Sequence, residues 1–525
     1  MPEYLSPGVY VEEIELGPRP IEGVSTSTAG FLGETLRGPL EPRLVTGFEE
    51  FKRLYGGYLP VDQSTLPFAV DGFFKNGGQR CFIGRIIAQD AVSTSGDHDG
   101  KISITAIGPG TWGNRIAIKI EAGSLQQPNQ PASHIKLTVM YWDQLPPTPL
   151  VDPTDPVNIT NPNRRTPTLL EVYDNLEADK ALLNFFETRV NSSSSLINVK
   201  QIAPDTPALL PLSLLAGLGT AGTDGAQVAI GDYQGREVPS FADANTIHKT
   251  GLKGFEQVDE ISILCAPSHH AVATLDTELI AHCTQMRDRF VVLHSDPTKH
   301  SLSTINNIRP PQDTTYAAFY FPWIKVFDPL INQDSTIPPS GHIAGIYAKT
   351  DIERGVFKAP ANEVVVGARS LQFQITKREQ DILNPRGVNC VRVFPGRGIR
   401  VWGARTASTN TLWKYINVRR FFLFLGESID EGTQWVVFEP NDERLWARVK
   451  QTITQFLTTQ WRNGALMGLK PQEAFFVKVD RTTMTQDDID NGRLICIIGV
   501  APVKPAEFVI FRLAQFQGGT EITEV

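Results

Sequence analysis

Cysteine is scarce in this sequence. Five residues, Cys81, Cys265, Cys283, Cys390 and Cys496, are scattered through 525 positions without close spacing. An odd, sparse set of this kind excludes a disulfide scaffold and fits a chain that folds in a reducing compartment. Long apolar runs are missing too. The longest stretch without charge, 206–223, is broken by Pro207, Pro211, Gly217 and Gly219, so neither a membrane span nor direct membrane insertion is expected. The first ten residues hold Pro2 and Pro7 where a secretory leader would hold a basic stretch and an apolar core. These absences predict a product of the cytoplasm of the producing cell. Basic charge is not in excess either. Lys and Arg number 49 against 57 Asp and Glu, a net charge of −8, whereas a general nucleic-acid coat is basic.

The motifs of catalysis are equally thin. There is no Gly-X-Ser-X-Gly elbow, and Ser268 beside His269 and His270 suits helix capping better than a triad. Gly217-Leu218-Gly219-Thr220-Ala221-Gly222 has the spacing of a dinucleotide fingerprint. The run before it contains two prolines, and Thr223-Asp224-Gly225 after it breaks a helix instead of starting one. His269, His270, His282 and Cys283 match no usual metal-ligand spacing. No catalytic residue, metal ligand or cofactor is therefore expected.

What the chain does have is apolar content, 41% of residues, enough for several cores, and a length that suits about three to four domains. Pro7-Gly8 and Gly17-Pro18-Arg19-Pro20 bracket a short β-like run, Val9, Tyr10, Val11 and Glu12, that cannot bury itself alone. Residues 24–90 read as α/β material, with strands near 28–33 and 81–87 and helices near 48–55 and 66–74. Between 91 and 203 three runs alternate with period two (Ile102 and Ile104; Ile116, Ile118 and Ile120; Ile135, Leu137, Val139 and Tyr141), which predicts half-buried antiparallel strands. A Pro-rich loop spans 146–167. From 204 to 364 strands and helices alternate, which predicts a doubly wound α/β unit. Residues 365–504 read as α+β. Their clearest helix is 441–463, with Asn441 as N-cap, Asp442 and Glu443 at the positive end, and Leu445, Val449, Ile453, Phe456 and Leu457 as the apolar stripe. The chain ends as it starts, with an isolated strand-like run: Phe508, Val509, Ile510, Phe511, Arg512 and Leu513.

Charge is distributed unevenly. Between 376 and 420 ten basic residues, among them Arg397, Arg400, Arg405, Arg419 and Arg420, face only Glu379 and Asp381. That segment carries +8 and the remainder −16. Internal ion pairs would explain it, and so would a docking surface for an acidic partner. On the 441–463 helix, Arg444, Arg448, Gln451, Gln455, Thr458 and Arg462 share the face opposite the apolar stripe, with no acid among them.

Ser6-Pro7-Gly8-Val9-Tyr10-Val11-Glu12-Glu13, Gly30-Phe31-Leu32-Gly33, Gly38-Pro39 and Phe73-Phe74-Lys75-Asn76-Gly77-Gly78 follow one another in order. Then come Thr111-Trp112-Gly113-Asn114, Ala359-Pro360-Ala361-Asn362, and the dense run from Phe394-Pro395-Gly396-Arg397-Gly398 through Trp402-Gly403-Ala404-Arg405-Thr406. Tyr415-Ile416-Asn417-Val418-Arg419-Arg420 and Pro505-Ala506-Glu507-Phe508 complete the set. In this ordered set the chain resembles the contractile tail sheath family of bacteriophages and related injection particles. The 146–167 loop is the part without a counterpart. The resemblance implies a structural protein and not an enzyme. It implies stacked hexameric rings around an inner tube, a metastable extended state, and contraction that drives the tube through a target envelope. It implies partners: other copies of the chain, an inner tube protein, and baseplate and tail-terminator or cap proteins, with no nucleic acid. The resemblance implies a particle of one of several kinds: a phage tail or an injection system, released or membrane-anchored.

The expected fold is therefore multidomain, α+β and α/β. An inner α+β domain would be built from 24–90 and 365–504, with an inserted β-rich domain at 91–203 and an inserted α/β domain at 204–364. Strand arms would occupy 1–23 and 505–525 and join neighbouring subunits by exchange, a form of β-augmentation. Arg444, Arg448, Gln451, Gln455 and Arg462 would face the tube. Two rival readings stand beside this one: an enzyme built on 204–364, and a nucleic-acid scaffold using the 376–420 basic segment.

Overall fold

The computed structural model describes residues 20–98, 100–126, 134–145, 148–202, 213–239, 241, 246–298 and 301–511. An eight-stranded sheet organises most of it. The strands are β1 (Ala29–Glu34), β2 (Arg43–Val45), β3 (Cys81–Ile86), β4 (Ile263–Cys265), β5 (Phe290–His294), β6 (Ala317–Phe321), β7 (Val388–Phe394) and β8 (Gly398–Trp402). Their spatial order is β2-β3-β1-β4-β5-β6-β7-β8. The six strands from β3 to β7 run parallel, and an antiparallel strand closes each edge.

The central strands are apolar on both faces, as a parallel sheet covered on both sides requires. Alternate residues feed two different cores. Phe31, Ile263, Cys265, Phe290, Val292, Ala318, Tyr320 and Val391 face one side, covered by α1 (Phe48–Tyr55), α2 (Leu66–Lys75) and a later helix, Ser340–Arg354. Leu32, Leu264, Val291, Leu293, Phe319 and Cys390 face the other, covered by α3 (Leu275–Met286) and by Tyr233 and Phe255 from two short helices.

Ser340–Arg354 is α4, and it lies against α2 at backbone distance. A methyl group added at Gly341 would stand 2.4 Å from Ala69 Cα, and one at Gly345 would stand 2.4 Å from the Phe73 carbonyl oxygen. Small residues on both helices make that approach possible.

The β-rich part forms two sheets of its own. One has four antiparallel strands, Ser213–Gly217, Ile116–Ala122, Ile135–Tyr141 and Leu169–Leu176, in that order. The other has three, Ser95–His98, Ile102–Ala106 and Ile197–Gln201. They share a core that includes Ile104, Trp112, Ile118, Leu137, Tyr141 and Val199. A short helix, Phe186–Asn191, packs in the same core.

The C-terminal part has a separate core. Helices α5 (Ile416–Thr433) and α6 (Glu443–Arg462) pack with a two-stranded sheet, Phe475–Lys478 and Ile497–Val500. Phe421, Leu425, Leu445, Val449, Phe456, Leu457 and Val477 fill it, and Ile21 reaches it from the other end of the chain.

The expected division at 90, 203 and 364 is corrected in two places. The 204–364 segment is not a separate inserted α/β domain, because β1 lies between β3 and β4 in one continuous sheet. The β-rich insertion runs past 203, since Ser213–Gly217 pairs with Ile116–Ala122. In both cases the deciding fact is a strand pairing between distant segments, which the period of a single segment does not contain.

Candidate functional site

The candidate site is an assembly surface spread over the C-terminal part. Val9, Tyr10, Val11 and Glu12, with Arg512 and Leu513, lie outside the described residues. The rest of the C-terminal run is described. Phe508, Val509, Ile510 and Phe511 have no regular secondary structure and are 70%, 68%, 78% and 84% exposed. Four consecutive large apolar residues in solvent are unusual, since burying one such side chain is worth about 1.5–3 kcal/mol. Their sequence favours a strand, but a strand forms only against a partner.

Nearby is a sheet short of strands. Phe475–Lys478 pairs only with Ile497–Val500 among the described residues, so each strand has an unpaired edge. A two-stranded sheet is marginal by itself. Phe476 and Ile497 remain 57% and 46% exposed on it.

Helix α6 begins one residue later than Asn441 would set it. Asp442 is the N-cap, its carboxylate accepting from the amides of Arg444 and Leu445 at 3.0 and 2.9 Å. Asn441 serves instead as acceptor for the Trp446 indole N–H at 2.8 Å. Arg444, Arg448, Gln451, Gln455 and Arg462 are all exposed on the face opposite the core. They are not equivalent. Arg448 sits 4.5 Å over the Trp435 ring and 3.6 Å from the Glu439 carboxylate. No ion pair among the described residues engages Arg444 or Arg462.

The basic segment divides: Arg405 and Arg420 are buried, Arg392, Arg400, Lys414 and Arg419 are half-buried, and Lys377, Arg378, Arg386 and Arg397 are exposed. Arg420 and Asp351 form a salt bridge at 2.7 Å, each side chain 3% exposed, and Arg420 also donates to the Thr26 carbonyl at 2.8 Å. Burial raises the pKa of Asp351, and Arg420 opposes that shift. Arg419 stacks 4.1 Å over Tyr316 and 5.0 Å from Trp413. Arg400 donates to the Asn362 and Arg397 carbonyls at 2.6 and 2.9 Å. Arg397 is exposed and reaches the Asn362 side chain at 3.2 Å. Part of the +8 of this segment is thus met within the fold, by Asp351 and Glu507, which lie far away in sequence.

Arg405 has a partner that sequence reasoning missed. Glu507 accepts from Arg405 Nε and Nη2 at 2.7 and 2.8 Å, from Asn384 Nδ2 at 2.8 Å and from the Tyr415 hydroxyl at 3.0 Å. Lys414 Nζ stands 3.6 Å away. Partial burial would raise the pKa of Glu507, but the hydrogen bonds from Arg405 and Asn384 outweigh it and hold the carboxyl at about 2. The only signal in sequence was that both residues lie in the quoted motifs.

The rival chemistries find little support in the geometry. Gly217-Leu218-Gly219 ends a strand of the β-rich part, and the next helix starts only at Ile230. His269 and His294 approach at 3.2 Å, and His294 and His270 at 3.4 Å, while His282 turns away to Arg289. Among the described residues no group of three or more His, Cys, Asp or Glu side chains is placed to hold a metal ion. A cleft of about 960 Å³ opens at the carboxyl ends of the parallel strands, lined by Glu34, Arg85, Asp224, Tyr233 and His270. Its position is the usual ligand crevice of doubly wound sheets. Arg85 there is already committed to the carbonyls of Gly38 and Pro109, at 3.0 and 2.8 Å. No described helix is long and apolar enough to cross a membrane.

Comparison with known proteins bears on the same regions. Residues 244–407 match the family described as phage tail sheath protein central domain, and residues 408–516 match the phage tail sheath C-terminal domain. Together they take in just over half of the chain, and their border falls between β8 and α5. The tail sheath protein of Vibrio phage KVP40 is 26% identical over 234 residues, which is 44% of this chain and 34% of that protein. The tail sheath protein of Burkholderia phage BcepMu is 27% identical over 244 residues, 42% of this chain and 50% of that protein. The matched stretch thus spans a third to a half of these relatives. Among solved structures, the contracted sheath complex of the extracellular contractile injection system PVC superposes with a TM-score of 0.59 at 21% identity, covering 98% of this chain and 99% of that one. The contracted helical sheath of the anti-feeding prophage gives 0.56 at 23%, covering 97% and 99%. At that identity the likeness concerns the fold.

Proposed function

The chain belongs to the phage tail sheath family, and from that premise we propose that it is the structural subunit of a contractile sheath. Copies polymerise as stacked hexameric rings around an inner tube and contract from a metastable extended state, driving the tube through a target envelope. Baseplate and cap proteins bound the polymer at its ends. The sheath likenesses in the contracted state support this reading.

One observation carries it: among the described residues the chain holds a donor and an acceptor that do not pair with each other. Phe508, Val509, Ile510 and Phe511 stand in solvent, and among the described residues the Phe475–Lys478/Ile497–Val500 sheet keeps two unpaired edges. Strand donation from one copy to the next satisfies both. Each backbone hydrogen bond so formed nets only about 1 kcal/mol, but a strand forms several and covers apolar side chains as well. Donor and acceptor are different surfaces, so the contact is heterologous and propagates instead of closing as a dimer. Residues 1–20 would supply the second strand.

Negative-stain microscopy of the purified chain tests this. Tubes, rings or cogwheel stacks are expected. Ile510→Pro removes a ladder N–H and should leave single subunits, as should deletion of residues 1–20. Unchanged polymers in both variants would count against strand exchange.

A further inference from the structure

The described C-terminal segment makes its last strong contact with the body at Glu507, one residue before the exposed apolar run begins. Resting on the strand-donation reading above, we propose that the Glu507 clasp is the mechanical anchor of the C-terminal strand: it fixes the point at which the strand leaves its own subunit and passes the pull on that strand into the central sheet.

The path of that pull is continuous. Glu507 is gripped in bidentate fashion by Arg405, the geometry that gives Arg–carboxylate pairs their directionality. Arg405 is in turn sewn to the sheet by its backbone. Its amide donates to Asn389 Oδ1 at 2.7 Å, and its carbonyl accepts from Asn389 Nδ2 at 2.8 Å. Asn389 lies within β7, is fully buried, and also reaches the Phe319 carbonyl on β6 at 3.3 Å. Asn384, Lys414 and Tyr415 add the end of a helix and the approach to α5 to the same carboxylate. One side chain thus gathers three separate segments.

Without it the next hold upstream is Val503, whose amide donates to Ala465 and whose carbonyl accepts from Asn417 Nδ2, at 3.1 and 3.2 Å. Moving the last hold from residue 507 to residue 503 frees four residues, which adds about 13 Å of extended reach. A donor strand with that slack samples a larger volume and meets its acceptor at lower effective concentration.

Glu507→Ala would leave Arg405 buried without its partner and disturb the fold, so insertions make the sharper test. In the full chain, Gly-Ser-Gly-Ser is placed either after Glu507 or before Pro505. The first leaves the clasp intact and slackens the strand beyond it. The second adds the same length where the clasp still fixes the exit point. Polymer yield is read by sedimentation and order by microscopy, with denaturant midpoints as the fold control. The insertion after Glu507 should lower ordered polymer roughly tenfold or more, and the insertion before Pro505 should stay within about twofold of the unmodified chain. Equal behaviour of the two insertions, in either direction, overturns the anchor. If the unmodified chain gives no polymer, strand donation fails instead.

Discussion

Among the described residues four histidines (His269, His282, His294 and His342) have their side chains shut in the fold. Burial holds His269 and His342 at about 3 and His282 at about 4, from an ordinary 6.5, with His270, Lys75 and Arg289 respectively adding to the effect. Burial also lowers His294, with His269 and His270 contributing. Below pH 6.5 the unfolded chain takes up protons at these sites that the folded chain refuses, so stability falls as pH falls. Each such site contributes a slope approaching 1.4 kcal/mol per pH unit. Glu427 works the other way. Burial first, then Asp288 and Glu431, raise it to about 7 from 4.5, so the folded chain holds a proton there that the unfolded chain releases. Burial raises Glu34 and Asp351 in the same sense as Glu427 and lowers His98 in the same sense as the four histidines, and between about pH 7.5 and 5.5 the histidines dominate, leaving a net loss of stability on acidification. The urea midpoint should drop between pH 7.5 and 5.5, and Glu427→Gln should steepen the drop. The Arg420–Asp351 pair gives a second residue-scale expectation. Arg420→Ala leaves a buried carboxylate without its cation and should cost about 3–5 kcal/mol by denaturant titration. Neither this pair nor the Arg405–Glu507 pair was legible in sequence. The basic residues were plain to see, but their partners lie 69 and 102 positions away. Charge counting within a window therefore left interior pairs and a docking surface as alternatives and could name no partner.

Elements were read more faithfully than residues, because a helix or strand declares itself in its own neighbourhood. The apolar stripe of α6 was predicted from 3.6-residue spacing, and Leu445, Val449, Ile453, Phe456 and Leu457 all lie in its core. The cap was misplaced by one residue, Asn441 for Asp442, since both are good caps and only geometry decides between them. The outer face of α6 yields a prediction about the tube. With Arg448 held by Glu439 and Trp435, Arg444 and Arg462 are the cations of this face without an ion pair among the described residues. Arg444→Glu with Arg462→Glu should weaken co-sedimentation with tube at moderate salt, whereas Arg448→Ala should change it less. Tube binding unaffected by the double reversal would remove this face from the interface. The contact between α2 and α4 gives a stability test. Gly345→Ala sets a methyl group against the Phe73 carbonyl, and overpacking of this kind costs about 1–3 kcal/mol. Its thermal midpoint should fall while that of Gly464→Ala responds only to its positive φ of 81°, since nothing crowds that site.

At the scale of the whole molecule, the ordered motifs and the alternation of strands and helices pointed to the family, but the partition of the chain was drawn wrongly. Residues 24–90 and 204–364 were assigned to different domains because a β-rich segment separates them. In the fold that segment is a loop-out from a single sheet, and strands on both sides of it lie edge to edge. Nothing in the period of β1 or β4 records that they are neighbours. That sheet also sets a timetable for synthesis. β1 acquires its first neighbour as soon as β3 has emerged, but its other edge waits for β4, from Ile86 to Ile263, or 177 residues later. At about 5–20 residues per second the ribosome needs roughly 9–35 seconds to deliver it. During that interval the nascent chain carries a three-stranded, apolar half-sheet with a bare flank, while the β-rich segment, with sheets of its own, can fold ahead of it. For that interval the flank is an open edge on each ribosome, and pairing between the flanks of neighbouring nascent chains is the side reaction it invites.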